Sequence, residues 1–313
     1  MLALLVYALV RHPVPLNAAR LLAGIGAGFT FVSGGVLASG LAQRNPARAS
    51  LMLGLFYAGP GLGIVLSGLT VPFVLAWSGP GSWARAWAAL TICSFPLAIV
   101  LQVARGEGSA DLRPRRNMLR LRSIGWLLSG YLLFGAGYIA YMTFMIAWVQ
   151  NSGRDASFQA LFWVMIGVAA MTSPWVYAKA QRRLFHCHAF AVLMGITALG
   201  AALPLLSDAT PVLLASAALF GSAFFAVVAS TTVFVRRNVS PEGWAGAIGT
   251  LTVTFGAGQM LGPVAIGFLN DALQSLSGGL WVSMFLLVPG ALSGAIQSDI
   301  GIEGSRSGPV RGR

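Results

Sequence analysis

Long apolar runs follow one another along almost the whole chain, separated by short connections that carry most of the charged residues. A helix needs about 20 apolar residues to cross the hydrocarbon core of a bilayer. The pattern therefore predicts nine full membrane spans, at 17–42, 49–76, 84–104, 124–149, 157–178, 187–207, 210–235, 245–270 and 279–298.

The first apolar run, Met1–Val10, is too short to be a full span. At 1.5 Å per residue, a helix of this length reaches about 15 Å, or half of a bilayer. A signal peptide is the rival interpretation, but no basic segment precedes the run and no small-residue cleavage site follows it. We expect the run to be the end of a helix whose beginning is missing.

The composition agrees with a membrane protein. Hydrophobic residues make up 57% of the chain and charged residues only 9%, whereas about a quarter of a soluble protein is charged. The formal net charge is +12, but the bases lie between apolar runs rather than on one face, so we expect no nucleic-acid partner. Cys93 and Cys187 are too few for a disulfide scaffold. The expected fold class is an all-α polytopic membrane protein surrounded by the lipid bilayer.

The distribution of bases predicts the orientation. Sixteen of the twenty Lys and Arg residues fall in alternate connections and in the C-terminal tail, and only Arg11, Arg20, Arg85 and Arg154 fall in the other set. Connections rich in Lys and Arg face the cytoplasm. We therefore expect a multi-pass inner-membrane protein with a cytoplasmic C-terminus. The preference for Arg over Lys is typical of a GC-rich bacterial genome.

One long polar connection divides the spans into two groups. Residues 105–123, predicted to be a basic cytoplasmic linker, separate an incomplete N-terminal bundle at 1–104 from a six-helix bundle at 124–298. Residues 299–313 are predicted to form a disordered cytoplasmic tail.

A Gly-Pro step recurs in the two groups. The glycines and prolines involved are Gly59, Pro60 and Gly63 in one span, and Gly258, Gly262, Pro263 and Gly267 in the other. The steps are 203 positions apart, which indicates a six-helix repeat and predicts about 79 further residues, or two and a half helices, before Met1. Proline bends a membrane helix and glycine allows close approach, so these clusters indicate either tight packing or a hinge between halves.

Arg20 lies clearly within a predicted span, about one turn from its outer end. An arginine there is costly unless it reaches the surface or finds a polar partner. Two interpretations remain open. Arg20 snorkels to the outer surface, or it makes a polar contact inside the bundle, where Gly24 and Gly26 would let a neighbouring backbone approach.

These segments resemble motifs of the major facilitator superfamily. The pattern Leu-x3-Arg20-x3-Gly24-x-Gly26-Ala is similar to the fourth-helix motif of that superfamily. The pattern Gly59-Pro60-x2-Gly63 in the next span is similar to its fifth-helix antiporter motif.

Two further features extend the resemblance over almost the whole chain. The segment with Lys179, Arg182 and Arg183 resembles the Gly-x3-Asp-Arg-x-Gly-Arg-Arg loop, although Ala178 and Gln181 stand where Asp and Gly are expected. Segments 218–224 and 245–263 look like the YbfB/YjiJ-type branch. This resemblance implies a major-facilitator-type bundle of twelve helices, of which the chain would hold nine and a half.

The resemblance also implies that spans 17–42, 124–149 and 210–235 line a central cavity. The candidate substrate or coupling residues in and beside these spans are Arg20, Tyr138, Tyr141, Thr143, Trp148, Thr231, Thr232 and Gln259. Aromatic and hydroxyl side chains suit a small organic substrate. Tyr and Trp near span ends are also common as interfacial anchors, so both interpretations stay open.

The acidic residues limit how transport could be coupled. All eight Asp and Glu residues lie in connections, at span ends or in the tail, whereas proton coupling generally needs a titratable group in the membrane. If the coupling ion is a proton, its carboxylate lies in the missing helices, or coupling runs through Arg20 and a partner. The sequence leaves the coupling ion open.

Other activities lack the residues they need. The single lysine, Lys179, follows Ala178, so the Gly-Lys-Ser/Thr end of an ATP-binding phosphate loop is missing. His186 and His188 are two positions apart and do not face each other on a helix, so no metal site is expected. We find no intramembrane acid–base set, and expect neither an enzyme nor a cofactor.

The resemblance therefore implies secondary active transport of a small molecule, by export or exchange, through alternating access. The rival interpretation is a truncated, transport-incompetent membrane remnant that only associates with other proteins. It follows from the predicted absence of one cavity-lining helix.

Overall fold

The computed structural model describes residues 1–44, 49–79, 81–103, 121–178, 183–184, 187–273 and 277–300. Within these ranges the regular structure is helical. A helix satisfies its own backbone hydrogen bonds, which a chain surrounded by hydrocarbon requires.

The described residues form ten α-helices. They are α1 (Leu2–Leu9), α2 (Pro13–Arg44), α3 (Ala49–Ser78), α4 (Trp83–Val103), α5 (Gly125–Asn151), α6 (Ala156–Val176), α7 (His188–Leu206), α8 (Thr210–Asn238), α9 (Trp244–Leu273) and α10 (Ser277–Ile296). Short 3-10 helices, Leu121–Ile124 and Pro241–Gly243, precede α5 and α9.

The predicted all-α polytopic fold is confirmed. Eight of the helices are long and apolar enough to cross a membrane, and the remaining predicted span coincides with α4, whose apolar stretch Trp83–Ile99 is shorter. The largest difference is at the start of α2, which begins at Pro13 rather than at 17. Proline fits the first turn of a helix because the backbone N–H has no intrahelical partner there. The Met1–Val10 run forms the short helix α1.

We call α1–α4 and α5–α10, which precede and follow residues 105–120, the two helix groups. In the group α5–α10, α5 packs against α9 and α10, and α8 packs against α6 and α7. In the group α1–α4, α4 packs against α1 and α3, and α2 packs against α3 and α1. The most extensive contact in the described structure joins α3 to α6, and therefore joins the two groups. Most of the predicted linker and tail lie outside the described residues.

Polar contacts tie together alternate connections at each end of the bundle. The Arg237 guanidinium donates to the carbonyl oxygen of Leu184 at 2.9 Å, which joins the end of α8 to the α6–α7 connection. At the opposite end, the Arg154 guanidinium donates to the Thr210 hydroxyl at 2.6 Å and joins the α5–α6 and α7–α8 connections. We call the end that holds Arg237 and the last residues of α2 and α10 the basic end.

Candidate functional site

A pair of polar side chains lies at the centre of the membrane-spanning bundle. Tyr138 is at the middle of α5, and Gln259 is at the middle of α9. The Gln259 side-chain amide donates to the Tyr138 hydroxyl at 2.5 Å, and both residues are only half-buried. We call them the midplane pair. Polar side chains at this depth are costly and commonly mark a pathway or binding site.

Aromatic rings surround the midplane pair. The Tyr138 ring stacks on Phe255 of α9 at 5.4 Å between centroids and on Phe224 of α8 at 5.8 Å. Phe134 and Tyr131 continue the stack along α5 towards the basic end. Each such contact contributes about 0.5–1.5 kcal/mol beyond area burial. Phe134, Tyr131 and Phe224 are buried, whereas the rings of Tyr138 and Phe255 are half-buried, so these two rings are the part of the stack that a ligand could reach.

Close packing of α5 on α9 holds the pair together. A Cβ atom on Gly262 would lie 2.7 Å from the carbonyl oxygen of Ala136, and one on Gly258 would overlap the carbonyl oxygen of Leu132. A Cβ atom on Gly135 of α5 would overlap the carbonyl oxygen of Phe255 in the same stretch of α9. Small residues let helix backbones approach closely, and this approach brings Gln259 within reach of Tyr138.

A second polar contact joins the two helix groups nearer the basic end. The hydroxyls of Tyr57 on α3 and Thr232 on α8 are 2.5 Å apart, and either can donate. Tyr57 is 2% exposed and Thr232 is 4% exposed. Beside them, Tyr131 of α5 lies next to Thr231. Both cavity candidates are therefore buried, Thr232 in the contact between the groups and Thr231 beside it.

Apolar side chains extend this contact to α2 and α9. The ring of Phe31 on α2 packs 5.8 Å from Phe56 and 6.2 Å from Tyr57. Gly35 of α2 faces Ile248 of α9, whose side chain would lie 3.9 Å from an added Cβ atom. The basic ends of α2, α3, α8 and α9 thus meet in one buried cluster.

The first half of α2 behaves differently. Residues 20–30 are exposed except for half-buried Gly28, whereas Val36, Ala38 and Ala42 are buried. The described residues of α2 thus pack against the rest of the structure mainly at the basic end.

A seam of glycines joins α3 to α6 between Gly54 and Gly68 of α3. Added Cβ atoms on Gly61 and Gly167 would each lie 2.9 Å from the carbonyl oxygen of the other. One on Gly68 would lie 2.7 Å from the Trp163 side chain, and one on Gly54 would lie 3.3 Å from Trp175. Glycine is required at Gly61 and Gly167 because two backbones occupy the space a side chain would need.

Arg20 lines a cavity that does not include the midplane pair. It is exposed, and it shares this cavity of about 350 Å³ with Tyr7, Trp83 and Trp87. Arg11 lies over the Trp83 ring at 4.5 Å from its centroid. The structure therefore places Arg20 in a basic and aromatic group formed by α1, α2 and α4.

The remaining cavity candidates have separate positions. Tyr141 is fully buried, and its hydroxyl bonds to Ser216 at 2.7 Å inside the group α5–α10. Thr143 is exposed, and Trp148 is half-buried against the apolar core. Of the eight candidates, the structure brings Tyr138 and Gln259 into contact.

The glycine candidates also divide into two sets. Gly258 and Gly262 pack against α5, and Pro60 and Pro263 lie inside α3 and α9. An added Cβ atom would meet nothing within 4 Å at Gly24, Gly26, Gly59, Gly63 and Gly267. Of the loop candidates, Arg183 is exposed, and Lys179 and Arg182 lie outside the described residues.

Sequence reasoning missed Tyr57, Gly61, Gly167 and Phe255. Gly61 had a signal, since it lies inside the Gly-Pro cluster. Tyr57 lies about two turns inside its span, and nothing local indicates a partner 175 residues away. Among the described residues, no three His, Cys, Asp or Glu side chains come together as they would around a metal ion.

Two comparisons with known proteins bear on the chain. A family model described as "Uncharacterised MFS-type transporter YbfB" matches residues 1–294. A search of curated proteins finds no match.

Proposed function

Because the chain belongs to the family of YbfB-type transporters of the major facilitator superfamily, we propose that it exports or exchanges a small molecule as a secondary transporter that works by alternating access. Proteins of this superfamily are transporters rather than enzymes. The family and the membrane-spanning helices account for transmembrane transport, and the residues of the bundle support the finer steps.

The midplane pair carries the proposal. In secondary transporters the substrate site lies near the bilayer midplane, where both sides of the membrane can reach it in turn. Tyr138 and Gln259 supply a hydroxyl and an amide at this depth, next to the half-buried ring of Phe255. These groups can hydrogen-bond a small molecule and stack on its apolar part.

The contacts between the two helix groups supply a gate and a pivot. Tyr57 and Thr232 close the basic end in the described conformation. The Gly61–Gly167 seam joins the groups along a line on which α3 and α6 can turn. Breaking the first contact while keeping the second would open the basic end, which is the rocking motion that alternating access requires.

The orientation follows from charge. Sixteen of the twenty bases lie in the connections of the basic end and in the tail, and such connections face the cytoplasm. We therefore assign the basic end and the C-terminus to the cytoplasm, and Arg20 to the outer side. The described conformation is then closed towards the cytoplasm.

The test is transport by the purified chain. Liposomes containing it are loaded with a bacterial metabolite extract, and mass spectrometry identifies compounds that leave them faster than they leave protein-free liposomes. We expect at least one such compound, and expect Tyr138→Phe to slow its exit. Tyr141→Phe is the matched control, because its hydroxyl bonds inside the C-terminal group. Equal contents with and without protein would refute transport.

A further inference from the structure

A cavity of about 380 Å³ lies between the two helix groups, in the part of the bundle away from the basic end. Its apolar walls include Ile64, Val71 and Leu75 of α3, Met142 and Ile146 of α5, and Trp163 of α6. We call it the α3–α5–α6 cavity. Its volume lies within the range of about 300–1,000 Å³ that is usual for small-molecule sites.

The cavity continues the line of the midplane pair. Tyr138, Met142, Ile146 and Gln150 follow one another at intervals of four residues along α5. Residues four apart are neighbours on a helix surface, so Met142, the first cavity residue on α5, lies one turn beyond Tyr138. The other side of the cavity is a similar face of α3, formed by 64, 67, 68, 71, 72 and 75.

The polar groups at the cavity are few and uncharged. The Ser67 hydroxyl donates to the carbonyl oxygen of Ile64 in its own helix at 3.0 Å. The Gln159 amide donates to the carbonyl oxygen of Arg154 at 3.1 Å, and Gln150 lies at an exposed position on α5. Among the described residues that line the cavity, none is charged.

The cation next to this rim is already engaged. The Arg154 guanidinium donates to Thr210 and to the carbonyl oxygen of Asp208, and it lies over the Phe158 ring at 4.6 Å. An anionic ligand in the cavity would lose its hydration without gaining an opposite charge, which is costly in an apolar site. An uncharged apolar molecule gains contact area without that cost.

We propose that the α3–α5–α6 cavity binds an uncharged, predominantly apolar organic molecule and delivers it along α5 to the midplane pair. Binding follows from the cavity alone, whereas delivery rests on the transport function proposed above. The proposal assigns the substrate to uncharged, apolar molecules rather than to organic anions.

Two fluorescent probes with one ring system test the binding. N-phenyl-1-naphthylamine is uncharged, and 1-anilinonaphthalene-8-sulfonate carries an additional sulfonate. Each is titrated into lipid nanodiscs containing the full chain, and the signal of empty nanodiscs is subtracted. We expect saturable binding of the uncharged probe at a Kd about tenfold or more below that of the sulfonate, a difference of about 1.4 kcal/mol.

Filling the cavity locates the site. Ile146→Phe should weaken binding of N-phenyl-1-naphthylamine about tenfold, which corresponds to about 1.4 kcal/mol. Ile92→Phe is the matched control, because Ile92 is 72% exposed on α4. Val71→Phe fills the cavity from the opposite wall and serves if Ile146→Phe does not fold. The thermal transition of each variant is measured first.

The outcomes separate this inference from the transport proposal. If Ile146→Phe and Val71→Phe bind the uncharged probe as the wild type does, or if the sulfonate binds equally well, the cavity assignment is wrong whether or not the chain transports. If native mass spectrometry finds a lipid that is retained by the wild type and lost from the filled variants, the occupant is an acyl chain and the assignment is wrong. If binding behaves as expected but liposomes show no flux of the probe, binding stands and delivery fails.

Discussion

Removing one hydroxyl at the basic end should shift the balance between the two conformations. Tyr57→Phe deletes the hydrogen bond between α3 and α8 and leaves the ring in its contacts with Phe31 and Phe56. The buried hydroxyl pair joins the two helix groups, so its loss destabilises the conformation closed at the basic end relative to the open one.

The size of the shift follows from the contact. A hydrogen bond between uncharged side chains contributes about 0.5–1.5 kcal/mol net. The Thr232 hydroxyl can turn to a carbonyl oxygen of its own helix after the change, as the neighbouring Thr231 does towards Val228, so we take about 1 kcal/mol. Because 1.4 kcal/mol is a factor of ten, the open-to-closed ratio should rise about fivefold.

Distances between spin labels measure this ratio. Labels at Leu41→Cys on α2 and Val176→Cys on α6, both exposed near the basic end, are introduced in a chain without its two natural cysteines. Double electron–electron resonance then gives the populations of the closed and open distances. Tyr57→Phe should increase the population of the longer distance.

Two further variants decide whether the reasoning is right. Thr232→Val removes the same bond from the other side, so the double variant with Tyr57→Phe should shift the populations no further than either single change. Tyr141→Phe, which loses a hydroxyl bond inside the group α5–α10, should leave them unchanged. Equal populations in the wild type and Tyr57→Phe, or an equal shift in Tyr141→Phe, would refute the gate.

Three other predictions concern the packing of Gly61, the hydrogen bonds of Gln297 and the burial of the Cys187 thiol. Gly61→Ala should lower the free energy of unfolding by about 1–3 kcal/mol in a thermal denaturation assay, because the new Cβ atom would lie 2.8 Å from the Met171 backbone nitrogen. Gly63→Ala, whose Cβ atom would meet nothing within 4 Å, should leave the free energy of unfolding unchanged or raise it. Gln297→Ala should lower the free energy of unfolding by about 1–3 kcal/mol in that assay, because the Gln297 side chain accepts from the Leu127 N–H near the start of α5 and donates to the carbonyl oxygen of Ser123. An unchanged thermal transition would refute this capping role. Cys187 is 3% exposed at the start of α7. Its alkylation at pH 8 should therefore be slow until detergent unfolds the chain, and equal rates before and after unfolding would refute its burial.

The spans could be predicted from the sequence because each hydrophobic run is local information. About 20 apolar residues fix both the helix and its membrane position, and most helix ends lie within three residues of the prediction. The start of α2 differs because two prolines extend its first turn.

The sequence could not show which glycine of the Gly-Pro cluster in α3 contacts another helix. Gly59, Gly61 and Gly63 follow one another at intervals of two residues, and two residues correspond to a rotation of about 200° around the helix axis. Gly59 and Gly63 therefore share a face on which an added Cβ atom would meet nothing within 4 Å in the described structure, and Gly61 points to α6. The Gly-Pro cluster indicated a helix contact, but the choice of face depends on where the other helix lies.

The candidate site was predicted in part for the same reason. Tyr138 and Gln259 are unusual as polar residues near the centres of apolar spans, so their type and position indicated function. Tyr141, one turn along α5, has the same signal, yet its hydroxyl bonds to Ser216. The difference depends on the neighbouring helix, as does the pairing of Tyr57 with Thr232.

The most direct test of the account is whether the midplane position opens to both sides of the membrane. Gln259→Cys, in a chain with Cys93→Ser and Cys187→Ser, is exposed to a membrane-impermeant maleimide in right-side-out and in inside-out vesicles. Thr197→Cys is the control for unfolding and non-specific labelling, because Thr197 is fully buried in α7. Alternating access predicts that Gln259→Cys is labelled from either side and that Thr197→Cys is labelled from neither. Labelling of Gln259→Cys from one side only would contradict alternating access at this site.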